Sequence, residues 1–152
     1  MSQATAERAQ GAELLVVVTL RVLAATFAVV GLLFITTPDG VVGRMDDVGA
    51  WLGSFAPGPA TSQKLWLALG FAYMTVITGI ALVVSTDIVR YRPFLLVLAA
   101  GKAASSLAAG WYFVVDEDVF IYLLNFLVDG SLVVIVLACW VLAGRVERRE
   151  PG

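Results

Sequence analysis

Histidine is absent from this chain of 152 residues, and cysteine occurs once, at Cys139. The first absence removes the commonest metal ligand and the usual proton carrier near neutral pH. The second excludes an internal disulfide, a CxxC redox pair and a cysteine cluster for zinc or iron–sulfur. Charge is scarce as well: Asp, Glu, Lys and Arg make up 14% of the residues, against roughly 25% in an ordinary soluble domain. A soluble domain of this length must cover its core with polar surface, and a chain that is 60% hydrophobic has too little of it. A net charge of −2 with no extended basic surface argues against nucleic acid as a partner. Phosphate-loop, dinucleotide-loop and HExxH patterns are missing, as are internal repeats. No metal site and no cofactor is therefore expected.

What fills the chain instead is long apolar runs, at about 14–35, 65–85, 93–115 and 119–143. As helices, each rises roughly 30 Å or more, the thickness of a bilayer's hydrocarbon layer. The runs are rich in Val and Ile, but barrel strands need only roughly ten alternating residues, and these runs are about twice as long and apolar on every face. In lipid the backbone must satisfy its own hydrogen bonds, which a helix does within one segment. The expected fold is all-α: a four-transmembrane-helix bundle with antiparallel neighbours, forming one integral membrane domain over 1–152. Residues 1–12 read as a short disordered or fraying end. That start lacks a strongly basic region and the run after it contains Arg21, so the first run reads as a retained helix, not a cleaved signal.

With four crossings, Arg8, Arg90, Arg92, Arg145, Arg148 and Arg149 share one side, while only Arg44 and Lys64 lie on the other. The positive-inside rule then puts both termini in the cytoplasm. Trp66, Trp111, Tyr112 and Tyr122 fall near the outer boundary and Tyr91 and Trp140 near the inner one, where amphipathic rings favour the headgroup level; packing between helices is the alternative for any of them.

The one long connection, between the first two runs, carries Val41, Val42, Met45, Val48, Trp51, Leu52 and Phe55 at steps near three and four. They form one stripe on a helical projection, with Asp46 and Asp47 opposite. A short amphipathic helix over about 39–55, lying on the outer membrane surface, would bury the stripe and keep both aspartates in water. Pro57 and Pro59 then return the chain to the membrane. Such a helix reads as a cap over the bundle, or as a lid or docking surface.

Three ionisable residues interrupt the apolar runs: Arg21, Lys102 and Asp129. Each costs roughly 2.5–3.5 kcal/mol near a helix centre on insertion scales. Lys102 lies roughly 13 Å from the start of its run and Asp129 roughly 15 Å from the start of the next, so both reach mid-membrane. The short acidic turn Asp116–Asp118 makes those two helices neighbours, and a Lys102–Asp129 pair is the simplest arrangement. Arg21 has two routes, inward to Asp129 or out of the bundle to the cytoplasmic interface by snorkelling. Asn125 and Ser106 lie one turn from the pair, and Gly101, Ser105, Ala109 and Gly110 permit close helix approach. From the second run, Tyr73 could join the pair, whereas Thr75 and Thr78 bond their own preceding carbonyls. Arg21, Lys102, Asp129, Asn125 and Tyr73 thus form a candidate intramembrane charge or ligand site. It reads as a buried latch, as a site for an anionic headgroup, quinone-like ring or ion, or as a contact with another subunit.

This plan of four spans, with a short leading tail and a longer first outer loop, resembles the small bacterial membrane proteins of the DoxX-like kind. The resemblance is one of layout and implies no site residues and no activity. An Ala-, Val-, Arg- and Gly-rich composition suggests a high-GC bacterial source, and hence the inner membrane. No nucleophile–base set is present; Cys139 has apolar neighbours and reads as a packing residue. The expected function is a non-catalytic accessory or assembly subunit in the lipid bilayer, partnered by copies of itself or by another membrane protein. The alternative is a small transporter or a lipid- or quinone-binding protein.

Overall fold

The computed structural model describes the backbone of residues 3–147 and the side chains of residues 10–146. Arg8, Arg148 and Arg149, which enter the orientation argument above, have side chains outside that range. Among the described residues there are five helices: α1 (Gln3–Thr36), α2 (Pro38–Leu52), α3 (Lys64–Val84), α4 (Pro93–Val115) and α5 (Phe120–Glu147). Four contain stretches long and apolar enough to cross a membrane, Gln10–Thr36, Lys64–Val84, Pro93–Val115 and Phe120–Val146. The protein is a multi-pass, all-helical membrane protein.

Helix α1 starts at Gln3, which corrects the expectation of a disordered end through residue 12. Ala, Gln, Glu and Arg dominate that segment and are among the best helix formers, so polarity alone does not break the helix there. Pro38 ends α1 and opens α2 at its first turn, where a missing N–H costs nothing. Pro93 does the same for α4.

The main packed pairs are α4 with α5 and α1 with α3; lighter contacts of α1 with α5 and of α3 with α4 close a ring in chain order. Inside it, Val16, Leu20, Leu23 and Phe27 of α1 recur at three- and four-residue steps and meet Ala81, Leu98 and Val136 in one core cluster. Outside it, Leu14, Val22, Val29, Leu69, Val76 and Val134 are exposed. Large apolar side chains on every outer face suit hydrocarbon as the surrounding solvent.

The surface helix α2 rests on α5 and α1. Its seat shows which part of the stripe meets the bundle, and it differs from the expectation at Asp46 and at the end of the helix. The face turned to the bundle is set by Gly49, the buried residue of the helix, with Val41 and Met45 beside it, whereas Val48, Leu52 and the 83% exposed Trp51 face outward. Asp46 is half-buried and does not point to water: both its carboxylate oxygens accept the Gly58 N–H, at 3.0 and 3.1 Å. Only Asp47 is exposed as expected. Finally, the helix stops at Leu52, so Phe55 is not part of it. The Ala56 N–H bonds the Asp118 carbonyl at 3.3 Å, which draws the chain across the α4–α5 turn, and Phe55 stacks on Phe120 with centroids 5.3 Å apart. A stripe counted at helical steps cannot register a strand-like tie of this kind.

Close approach explains Gly49, since a Cβ there would lie 2.7 Å from the Phe120 Cβ. Gly43, by contrast, has open space around it. Gly49→Ala is therefore expected to destabilise the protein by about 1–3 kcal/mol through overpacking. Gly43→Ala, in the same helix, is expected to stabilise it by about 0.5–1 kcal/mol through reduced backbone entropy. Thermal unfolding of both variants in one detergent checks the pair of signs.

Candidate functional site: a charged centre inside the bundle

Each of the four spanning helices contributes one side chain to a common point. Lys102 comes from α4, on the inward face shared by Leu95, Leu98, Ser106 and Ala109. Its Nζ donates to Asp129 Oδ1 of α5 at 2.9 Å. The same ammonium lies 4.8 Å from the ring centroid of Phe27 on α1 and 5.5 Å from that of Tyr73 on α3. Exposure is 2% for Lys102 and 4% for Asp129. The cation is thus solvated by one carboxylate and two negative ring faces, in a place where water is scarce.

Polar and small residues around this point bring α4 and α5 together. Ser106 Oγ donates to the Phe126 carbonyl at 2.8 Å, and Asn125 Nδ2 donates to Ser105 Oγ at 3.3 Å. Gly110 admits the Phe126 ring, which would stand 2.8 Å from a Cβ at that position. Gly101 faces Tyr73, whose hydroxyl would be 3.3 Å from a Cβ there, and Ala109 is buried in the same helix. The Tyr73 hydroxyl is buried without a hydrogen-bond partner among the described residues. Thr75 and Thr78 turn back onto the Phe71 and Met74 carbonyls, at 2.9 and 2.7 Å.

Of the five residues expected to share one site, three do so: Lys102, Asp129 and Tyr73. Asn125 belongs to the neighbouring Ser105 contact and to a groove beneath α2. Arg21 takes the outward route. It is exposed and lines a recess with Ser85–Val89, at the end of the bundle away from α2. Its long flexible stem reaches that interface at lower cost than a second cation beside Lys102 would incur.

Two contacts were not legible in the sequence. Phe27 is one apolar residue among many, and only the helix register brings its face over Lys102. Arg92 and Trp140 were each placed near the same boundary, but their partnership is tertiary: Arg92 Nε donates to the Trp140 carbonyl at 3.0 Å, and its guanidinium lies 4.2 Å from the indole centroid. Trp66, Trp111 and Tyr112 are exposed, as belt residues would be, while Tyr122 is half-buried and packs on Tyr112 at 5.8 Å.

Recesses lined by described residues lie elsewhere on the surface. One of about 610 Å³ lies at the α2 end, where Thr61 donates to Asp39 beside Lys64. The α1–α3 groove, the groove under α2 and the Arg21 recess hold about 220, 260 and 350 Å³. Neither Lys102 nor Asp129 lines any of these four. Comparison with known protein families, with curated proteins and with solved structures finds no match to this chain.

The enclosed geometry yields a direct energetic expectation. Lys102→Met and Asp129→Asn should each cost about 3–5 kcal/mol, because each leaves a buried group without its counter-charge or its strong hydrogen bond. The double substitution should recover much of that loss, since both desolvation costs disappear together. Arg21 lines a different recess and does not substitute for Lys102. Thermal unfolding of the four proteins in the same nanodisc measures the coupling; strictly additive losses would remove the pair as an energetic unit.

Proposed function

We propose that this chain is a non-catalytic membrane protein, acting as an accessory or assembly subunit through the faces it presents to lipid and neighbours. The observation that carries this reading is the closure of the Lys102–Asp129 contact, with 2% and 4% exposure. Two opposite charges neutralise each other inside the bundle, as a latch between helices does, and neither borders the recesses described above.

A partner surface is supported by α4. Ala100, Ala104 and Ala108 recur every four residues on its exposed side, between Val97, Leu107 and Trp111. Small residues in that register let a second helix approach closely in lipid, where dispersion and packing drive association. The partner on this reading is a second copy of the chain or another membrane subunit. A second reading, a lipid- or quinone-binding protein, is favoured by the groove beneath α2, where Val30, Phe34, Met45 and Leu124 form an apolar wall interrupted by Asn125.

The setting proposed is a bacterial inner membrane with both termini cytoplasmic. Arg90, Arg92 and Arg145 fall at one end of the bundle, whereas Arg44 and Lys64 fall at the other.

Two measurements test these statements. Native mass spectrometry of the intact protein should report an assembly larger than one chain, reduced to a monomer by Ala104→Trp with the unfolding temperature retained. A monomer that carries a lipid or quinone would favour the second reading instead. Protease added to intact spheroplasts should spare tags at both ends; digestion of both would reverse the orientation.

A further inference from the structure

Arg21 lies within the apolar stretch of α1 and is exposed, and among the described residues no hydrogen bond or ion pair engages its guanidinium. A cation in a membrane-crossing segment normally finds a partner, and the described residues supply none, so the Arg21 guanidinium is available to an external group. Its recess, about 350 Å³, is formed by Glu13, Val17 and Arg21 of α1, by the connection that follows α3, and by Val146 of α5.

The donor and acceptor inventory of this recess is lopsided. Ser85 Oγ already donates to the Leu82 carbonyl at 2.7 Å, and Thr86 Oγ1 donates to the Val83 carbonyl at 2.7 Å. Both hydroxyls therefore offer only lone pairs to a ligand. Asp87 accepts the Arg90 N–H at 2.9 Å through one oxygen, and a carboxylate keeps further acceptor capacity. Glu13 adds a second carboxylate at the rim. Among the described residues of the lining, Arg21 is then the side-chain donor that remains, one cation among acceptors.

A purely anionic ligand would pair with Arg21 but would face two carboxylates. A ligand carrying a phosphate and, a few ångströms away, an ammonium with N–H donors matches both halves. We propose that the Arg21 recess binds a phosphoethanolamine group, with Arg21 on the phosphate and Asp87, assisted by Glu13, on the ammonium. Arginine's planar fork suits a phosphate, and the acceptors of Asp87, Ser85 and Thr86 suit a primary ammonium. A quaternary choline nitrogen has no N–H to give them. Because the recess opens at the end of a membrane-spanning bundle, the group arrives either as a phospholipid headgroup or as the free phosphomonoester.

The full chain, in micelles doped with equal amounts of phosphatidylethanolamine, its N,N-dimethyl derivative, phosphatidylcholine and phosphatidylglycerol, tests this by native mass spectrometry. The expected result is retention of phosphatidylethanolamine over phosphatidylcholine by about tenfold, the usual size of one charge-assisted hydrogen bond. The dimethyl lipid should fall between them. Arg21→Gln should lower retention of every phospholipid, and Asp87→Asn should erase the preference for ethanolamine over choline. Soluble phosphoethanolamine that displaces the retained lipid would identify the free headgroup as sufficient. Failure to displace it, with headgroup selectivity intact, would identify the lipid-anchored form. Equal retention of the ethanolamine and choline lipids, a preference for phosphatidylglycerol, or selectivity unchanged in both variants would overturn the proposal. Headgroup selectivity is read on the unaltered chain, so a variant that fails to fold does not blunt the test.

Discussion

Lys102 is the costliest residue in the bundle, and the arrangement of the spanning helices answers to it. An ammonium taken out of water needs a counter-charge and a polarisable shell, and a bilayer interior supplies neither. Asp129 of α5 gives the first, at 2.9 Å, and the rings of Phe27 on α1 and Tyr73 on α3 give the second. Sliding α4 along α5 by one turn would separate the charges, and rotating α1 or α3 would strip away a ring. Apolar packing alone is tolerant of such shifts, because one Leu or Val replaces another. The charge pair is not tolerant, so it selects one register from among many of similar packing energy. Its net contribution to stability is small by the same reasoning, since desolvation offsets most of the attraction.

Close packing around that point relies on missing side-chain volume. Gly101 leaves room for Tyr73, Gly110 for the Phe126 ring and Gly49 for Phe120. The first lets α3 approach α4, and the second brings α4 and α5 within reach of the hydrogen bonds that Ser105 and Ser106 make across their contact. The third seats α2 across the end of the bundle, where Asp46 ties down Gly58 and the Ala56–Asp118 bond joins the long connection to the α4–α5 turn. The connection is therefore pinned at several points along its length and covers one end of the bundle, as a cap does.

The two ends of the molecule differ chemically. At the α2 end, exposed aromatic rings stand among more acidic than basic groups: Asp39, Asp47 and the Asp116–Asp118 turn against Arg44 and Lys64. At the other end lie Arg21, Asp87, Arg90 and Arg92, with Arg92 resting on Trp140. A polar, mixed-charge end next to apolar walls is what a phospholipid presents in reverse, and this matching underlies the headgroup recognition inferred for Arg21. The deep pair and Arg21 are thus two separate placements of charge, one enclosed by the bundle, the other exposed in a recess at its end.

How much of this was legible in the sequence depends on how local the cause is. Run length and polarity determined the four spans, because backbone desolvation in lipid overrides the modest helix penalty of Val and Ile. Prolines at 38 and 93 determined where helices begin, through a missing N–H that acts within one turn. The Lys102–Asp129 partnership also followed from the sequence, since depth along a helix is countable and a short turn forces neighbours together. Tertiary structure alone decided which rings surround the ammonium, where Arg21 goes, how α2 rotates and where it stops. Those outcomes depend on helix rotation and on contacts such as Gly49 with Phe120, or Ala56 with Asp118. These two contacts join residues 71 and 62 positions apart, so their energies appear only once the chain is folded.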